Sequence, residues 1–380
     1  MAGIYIHIPF CKTKCLYCDF YSQTSLNIAS EYFKAVCLEL KNRNDFLENE
    51  PVETIYFGGG TPSIVPVAVL DTVFRTIFDN FSVSGDVEVT LEANPDDLSK
   101  QYINEVRSFP INRISIGIQS FSDDELRFLN RRHTAEQAEK AVATCQQAGF
   151  SNISNDLMYG LPTQNLDIWE QTLQRSIDLN VQHISAYHLI YEEDTPLFEK
   201  WKSGIILPID EELSNQLFEL LMTKLQDAGF IHYEISNFSK KGFISHHNSS
   251  YWKGKKYLGV GAAAHSYNGT VRCANIADIK KYIDGVSTGT SFQEVELINQ
   301  DIAYNEFILT SLRTMDGLSL NDVAVKFEQS KLKYVMQQAE KHIASGLLNM
   351  SNKKVLRLSR SGIFVSDGIM ADLLFLNDDE

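Results

Sequence analysis

Long apolar runs are missing from this 380-residue chain. None approaches the roughly 18 residues that a membrane-spanning helix needs, so no stable insertion into a membrane is expected. No charged and apolar leader precedes the first strand-like run, which starts by Ile4, and a secretory signal is not expected either. Positive charge is in deficit. With 34 basic against 49 acidic residues and a formal charge of -15, the balance argues against a nucleic-acid backbone as the main partner, although a local pocket can oppose the global sign and hold an anion. Disulfide-forming spacing is also absent. Cys37 falls on a helical pattern with Phe33 and Leu40, Cys145 stands shortly before Gly149 at a helix end, and Cys273 is alone. A soluble, cytoplasmic protein in a reducing compartment is expected.

The remaining cysteines are present in a pattern. Cys11, Cys15 and Cys18 stand within one short loop, F-C-K-T-K-C-L-Y-C-D-F, directly after an apolar strand-like run. Three thiolates are one too few for a closed tetrahedral zinc site. They are the right number to hold three irons of a cubane iron–sulfur cluster while the fourth stays open to a small molecule. Two other readings stay open at this point: packed structural cysteines, or a zinc loop completed by His7 or Asp19.

Strand-like runs alternate with amphipathic helical stretches along the first 230 residues, the order of parallel βαβ units. The runs are Ile4–Ile8, Thr54–Phe57, Val87–Leu91, Arg113–Ile118, Ile153–Met158 and His183–His188. The helical patterns are Glu31–Asn44, Val67–Asn80, Ser99–Ser108, Ala135–Ala148, Leu166–Asp178 and Glu211–Ala228. Six such units predict an α/β fold, a partial (β/α)6 TIM-like barrel over residues 1–230, in which chemistry gathers at the C-terminal strand ends. The unusual residues fall there: the cysteine loop, Gly58-Gly59-Gly60-Thr61-Pro62, Glu92-Ala93-Asn94-Pro95, Gln119-Ser120-Phe121, Asp156 with Tyr159-Gly160-Leu161-Pro162, and Tyr187-His188. Alternation along the first strand turns Ile4, Ile6 and Ile8 toward the helices and Tyr5 and His7 toward the interior, where His7 reads as a satisfied core histidine.

Beyond that the rhythm fades. Phe230–Phe238 reads as a strand, and residues 231–299 as an extension rich in Gly, His, Tyr and Trp. Residues 300–380 read as a winged-helix-like α+β domain: a helix over Ala303–Arg313, a helix pair over Ser319–Phe327 and Tyr334–Ser345, then strands Lys354–Leu358 and Gly362–Val365. No basic recognition stripe marks it for DNA, so packing on the barrel or on a partner is expected. The acidic residues 377–380 read as a solvated end.

The C-x3-C-x2-C loop resembles that of the radical S-adenosylmethionine (SAM) superfamily. The resemblance implies a four-iron four-sulfur (4Fe-4S) cluster on Cys11, Cys15 and Cys18, with SAM chelated to the open iron and cleaved reductively to a 5'-deoxyadenosyl radical. The glycine run resembles the family's turn beside the methionine amine, with Gly59, Gly60 and Thr61 as contacts, since backbone carbonyls without Cβ atoms nearby approach an ammonium closely. Tyr5 matches a family position beside bound SAM. Glu92, Gln119, Arg131 and Asp156 are placed around the nucleoside and carboxylate: Arg131, or Arg132 in its stead, can pair with a carboxylate, and Glu92 or Asp156 can accept from ribose hydroxyls or amines.

The segments E-A-N-P, S-I-G-I-Q-S-F, L-N-R-R-H and N-D-L-M-Y-G-L-P match the branch that contains anaerobic coproporphyrinogen III dehydrogenase. Porphyrinogen-oxidising members typically carry a fourth cysteine two residues after the third, where this chain has Phe20, and a long N-terminal extension ahead of the first strand. The C-D-F ending, the short start and the H-N-x-x-Y-W run His247–Trp252 look instead like the haem chaperones of the same family. That likeness implies haem binding and transfer to an acceptor protein, with oxygen-independent coproporphyrinogen III oxidase as the alternative. His247 is the candidate haem ligand and His246 its neighbour and competitor, with Tyr251 and Trp252 offering flat apolar surface. Equally, His247 and Asn248 can tie down a loop while the two rings pack on the barrel rim.

Overall fold

The computed structural model describes residues 2–376, so the acidic residues 377–380 lie outside the described residues. Six parallel strands lie side by side in chain order: β1 (Ala2–Ile8), β2 (Val52–Gly59), β3 (Val83–Ala93), β4 (Arg113–Gln119), β5 (Ile153–Tyr159) and β6 (His183–His188). Helices cross between them: α1 (Ala29–Asn42), α2 (Val67–Asn80), α3 (Lys100–Val106), the pair α4 (Asp123–Phe128) and α5 (Ala135–Gln147), and α6 (Leu166–Asp178). After β6 come α7 (Pro196–Lys202) and α8 (Glu211–Asp227). Ile4, Ile6 and Ile8 are fully buried in one core with Val36 and Leu40 of α1 and Val73 and Ile77 of α2. The expected elements recur with ends moved by a few residues, and the fold is the α/β one expected.

The sheet does not stop at residue 230. Phe230–Phe238, expected as one strand, is a hairpin of β7 (Ile231–Glu234) and β8 (Asn237–Ser239), and β8 runs antiparallel to β6. At the opposite edge β9 (Lys256–Val260) lies parallel to β1. It is followed by the antiparallel β10 (His265–Tyr267), β11 (Val271–Asn275) and β12 (Gln293–Leu297). The result is an open twelve-stranded sheet, β12-β11-β10-β9-β1-β2-β3-β4-β5-β6-β8-β7. Residues 231–299 therefore build both of its edges, with α9 (His246–Trp252) between them and α10 (Ile279–Thr288) between β11 and β12. Strands of three to five residues are too short for a period of two to declare itself against helix.

The C-terminal part has its own core, which includes Tyr304, Ile308, Val335 and Leu356. Its helices are α11 (Gln300–Leu312), α12 (Leu320–Lys326) and α13 (Gln329–Ala344), and its sheet is β13 (Leu318–Ser319), β15 (Val355–Leu358) and β14 (Leu348–Met350) in that spatial order. Gly362–Val365, expected as a strand, is not one: α14 (Arg360–Ile363) and α15 (Ser366–Leu373) follow β15. The Ser359 hydroxyl caps this turn by accepting from Gly362 N at 3.0 Å, an N-cap that starts a helix. Among the described residues no helix is long and apolar enough to cross a membrane.

Candidate functional site

A cavity of about 490 Å³ opens at the C-terminal ends of the parallel strands. Cys11, Cys15 and Cys18 form one wall, and Gly59, Gly60, Thr61, Glu92, Gln119, Arg131 and Asp156 line the rest. The cysteine loop is fixed at its base, where Cys11 N donates to Gln23 O at 3.0 Å, and at its tip, where Leu16 N donates to Leu129 O at 3.2 Å. Donors point at its sulfurs. Thr61 Oγ1 lies 3.4 Å from Cys11 Sγ, and Arg131 Nη1 lies 3.2 Å from Cys15 Sγ. Burial pushes the Cys18 thiol up to about 11, so a thiolate there needs a cation beside it.

Among the described residues no three His, Cys, Asp or Glu side chains close on a point that a single ion fills. His7, the candidate fourth ligand of a zinc loop, is engaged on both ring nitrogens, by Tyr5 OH at 3.1 Å and by Tyr21 O at 3.0 Å. The donor set fits a cluster: three sulfurs on one face of an open cavity, two of them met by hydrogen-bond donors that stabilise thiolate charge.

The glycine turn is tight for a reason that can be measured. A Cβ at Gly60 would stand 2.7 Å from Phe10 O and 2.9 Å from Cys11 Sγ, and one at Gly59, where φ is 105°, would stand 2.6 Å from the His7 ring. Glu92 accepts from Tyr56 OH at 2.7 Å and from Gly59 N at 3.1 Å. Burial, with a smaller push from Asp156, raises its carboxyl to about 7. Asp156 is likewise raised by burial and accepts from Ser115 Oγ at 3.1 Å. Two desolvated acids facing one cavity are suited to a ligand that brings hydroxyls or an ammonium. Gln119 ends β4 with φ 70°, a left-handed backbone held by a residue with a side chain, the kind of local strain that concentrates at binding sites.

Of the two arginines that the sequence leaves open, Arg131 faces the thiols, and its Nη2 donates to Asn94 Oδ1 and Gly117 O, both at 2.6 Å. Arg132 is paired instead with Asp96 at 2.8 Å and Asp97 at 3.4 Å. Asn94 was not singled out from the sequence. Its amide also donates to Thr61 Oγ1 at 3.4 Å, so it couples the donors of Cys11 and Cys15, and its place in E-A-N-P at the end of β3 was the available signal.

Two candidates lie elsewhere. Tyr5 is not in this cavity; its ring lines a neighbouring one of about 440 Å³. His247 does not line this cavity either. It is buried in α9, with Nδ1 2.8 Å from Thr54 Oγ1, Nε2 2.9 Å from Tyr251 OH, and its backbone N donating to Glu88 at 3.0 Å. Burial lowers its pKa to about 3. Its two ring nitrogens thus join α9 to β2 through Thr54 and to Tyr251 one helical turn on. His246 is exposed, and Trp252 packs under the Arg313 guanidinium at 4.7 Å.

Residues 5–175 match the radical SAM superfamily, and residues 298–365 match the HemN C-terminal domain. The heme chaperone HemW of Lactococcus lactis is 31% identical over 96% of this chain and 93% of its own length. The heme chaperone HemW of Bacillus subtilis is 32% identical over 96% and 95%. This chain belongs to the HemW family. In shape it is similar to the Escherichia coli coproporphyrinogen III oxidase HemN, with a TM-score of 0.86 over 98% of this chain and 90% of that one. At 20% identity that likeness shows the fold and leaves activity to be argued from the site. Membership of the HemW family within the radical SAM superfamily implies a four-iron four-sulfur cluster and SAM, and the thiol wall and acidic cavity fit both.

Proposed function

We propose that this chain is a haem chaperone: it binds haem and hands it to an acceptor protein, on a scaffold that carries a cluster on Cys11, Cys15 and Cys18 with SAM in the adjoining cavity. The observation that carries the reading is similarity, over nearly the whole chain, to proteins named heme chaperone HemW. Phe20 supports it, because the position where porphyrinogen oxidases typically carry a fourth cysteine holds an exposed phenyl ring that cannot ligate iron.

The residues divide the work. When bound, the cluster supplies an electron to the sulfonium of SAM. Backbone carbonyls at Gly59 and Gly60 receive the ammonium, Arg131 holds the carboxylate, and Glu92 and Asp156 accept from hydroxyls. Thr61 and Arg131 stabilise thiolate charge, and Gln119 closes the β4 side. We place the protein in the cytoplasm, where reduced thiols persist.

Anaerobic reconstitution followed by titration with haem, and separately with coproporphyrinogen III plus SAM and a reductant, tests the reading. Haem should bind and change its absorption, while coproporphyrinogen III should remain undecarboxylated. Sustained decarboxylation, or absence of haem binding, would overturn it.

A further inference from the structure

The neighbouring cavity lies on the β1–β9 side of the cysteine loop. Its walls are Tyr5, Tyr251, Tyr257, Phe20, Ala263 and His265, and about 440 Å³ lies within the range of cofactor sites. Asp19 and Phe20 line both cavities, so the cysteine loop is the partition between them. It lies beside the strand pair β1 and β9: Tyr5 and Tyr257 stand on those strands, and Ala263 and His265 follow β9.

Two imidazoles line it, His7 and His265. His7 is buried and engaged on both nitrogens. His265 is exposed, and its ring meets no hydrogen-bond partner among the described residues. Burial raises the phenols of Tyr5, Tyr251 and Tyr257, so they stand as neutral aromatic walls and are poor phenolate ligands.

The turn that presents His265 is built rather than loose. Gly261 has φ 102° and Ala263 φ 63°, the second a strained backbone for a residue with a Cβ. The turn is tied down by Gly261 N donating to Glu39 at 2.9 Å and by Ala262 N donating to Tyr32 OH at 3.1 Å. Glu39 is itself buried and also accepts from Tyr282 OH at 2.7 Å and Asn275 Nδ2 at 2.9 Å.

We infer that haem seats in this cavity with the His265 imidazole as an axial ligand of its iron, an assignment that rests on the haem-chaperone reading. An imidazole nitrogen supplies the lone pair, and the tyrosines and Phe20 meet the macrocycle. His247 acts at one remove: its hydrogen bond holds Tyr251, which is a wall of the cavity. The H-N-x-x-Y-W segment thus shapes the site through its tyrosine.

The test is a ferric-haem titration of reconstituted full-length protein, read by Soret absorption and by the iron–imidazole vibration. His265→Ala should lose at least about tenfold in affinity together with the imidazole signature, and free imidazole should restore the signature. His247→Ala should weaken binding but keep that signature. Tyr257→Trp should weaken binding by filling the cavity. Wild-type protein that binds no haem would sink the chaperone reading and this one together. If wild type binds, and His265→Ala keeps both affinity and signature, or Tyr257→Trp binds unchanged, the His265 site alone is wrong.

Discussion

Glu92 couples the site to pH. Its carboxyl is raised from 4.5 to about 7 by burial, so the folded protein holds this proton more tightly than the unfolded chain does. The stability it contributes is fully present below the unfolded value and is lost as pH rises through 7. In the cluster-free protein, Glu92→Gln should therefore gain on wild type between about pH 5 and about pH 8, by roughly 1–3 kcal/mol. Urea unfolding of both proteins at the two pH values checks this, and a difference that is constant or of opposite sign would contradict it. The thiols give a second residue-scale expectation. Ala at Cys11, Cys15 or Cys18 should remove most cluster iron, because a cubane with one open iron has no protein ligand to spare. Iron and sulfide assays decide it, and tight zinc binding without sulfide would refute the cluster. Sequence placed Tyr5 on the interior side of β1, but alternation gives a face of the sheet and not which of two cavities a ring enters. It named His247 as a possible ligand, yet whether Thr54 and Tyr251 occupy its nitrogens depends on chain segments far apart in sequence.

At the scale of elements, the glycine turn after β2 and the cysteine loop after β1 form one unit. Gly60 leaves no room for a Cβ against Phe10 O, Ile8 O and Cys11 Sγ, and two of those three are backbone atoms that cannot swing aside. Gly60→Ala should displace the cysteine loop, lower stability by about 1–3 kcal/mol, and reduce cluster content after reconstitution. Wild-type iron content and an unchanged unfolding midpoint would show that the loop tolerates the methyl group. The six parallel strands were legible because each is long enough to show its pattern and is followed by an amphipathic helix. The edge strands β7 to β12 were not, since they take their order from neighbours: β9 pairs with β1 across most of the chain. Gly362–Val365 misled for a local reason, an apolar run whose start is set by the Ser359 cap.

Across the whole molecule, the C-terminal domain is tied to the rest of the chain by ion pairs, among them Arg272 of β11 with Glu306 of α11, and two others differ in burial. Arg313 Nε donates to Glu234 at 2.9 Å, and the Glu234 side chain is 0% exposed. The same guanidinium reaches Ser236 Oγ at 3.4 Å and covers Trp252 at 4.7 Å. Arg360 pairs with Glu219 at 2.6 Å, but these side chains are 45% and 50% exposed. Water can take over the second pair and not the first. Arg313→Ala leaves a buried carboxylate uncompensated and should lower stability by about 3 kcal/mol, whereas Arg360→Ala should cost less than about 1 kcal/mol. Arg313→Lys should recover only part of the loss, because an ammonium cannot reproduce the contacts with Glu234 and Ser236 while lying flat over the Trp252 ring. Denaturant midpoints of the three full-length variants measure the difference. Equal losses at Arg313 and Arg360 would mean that Glu234 is reached by water.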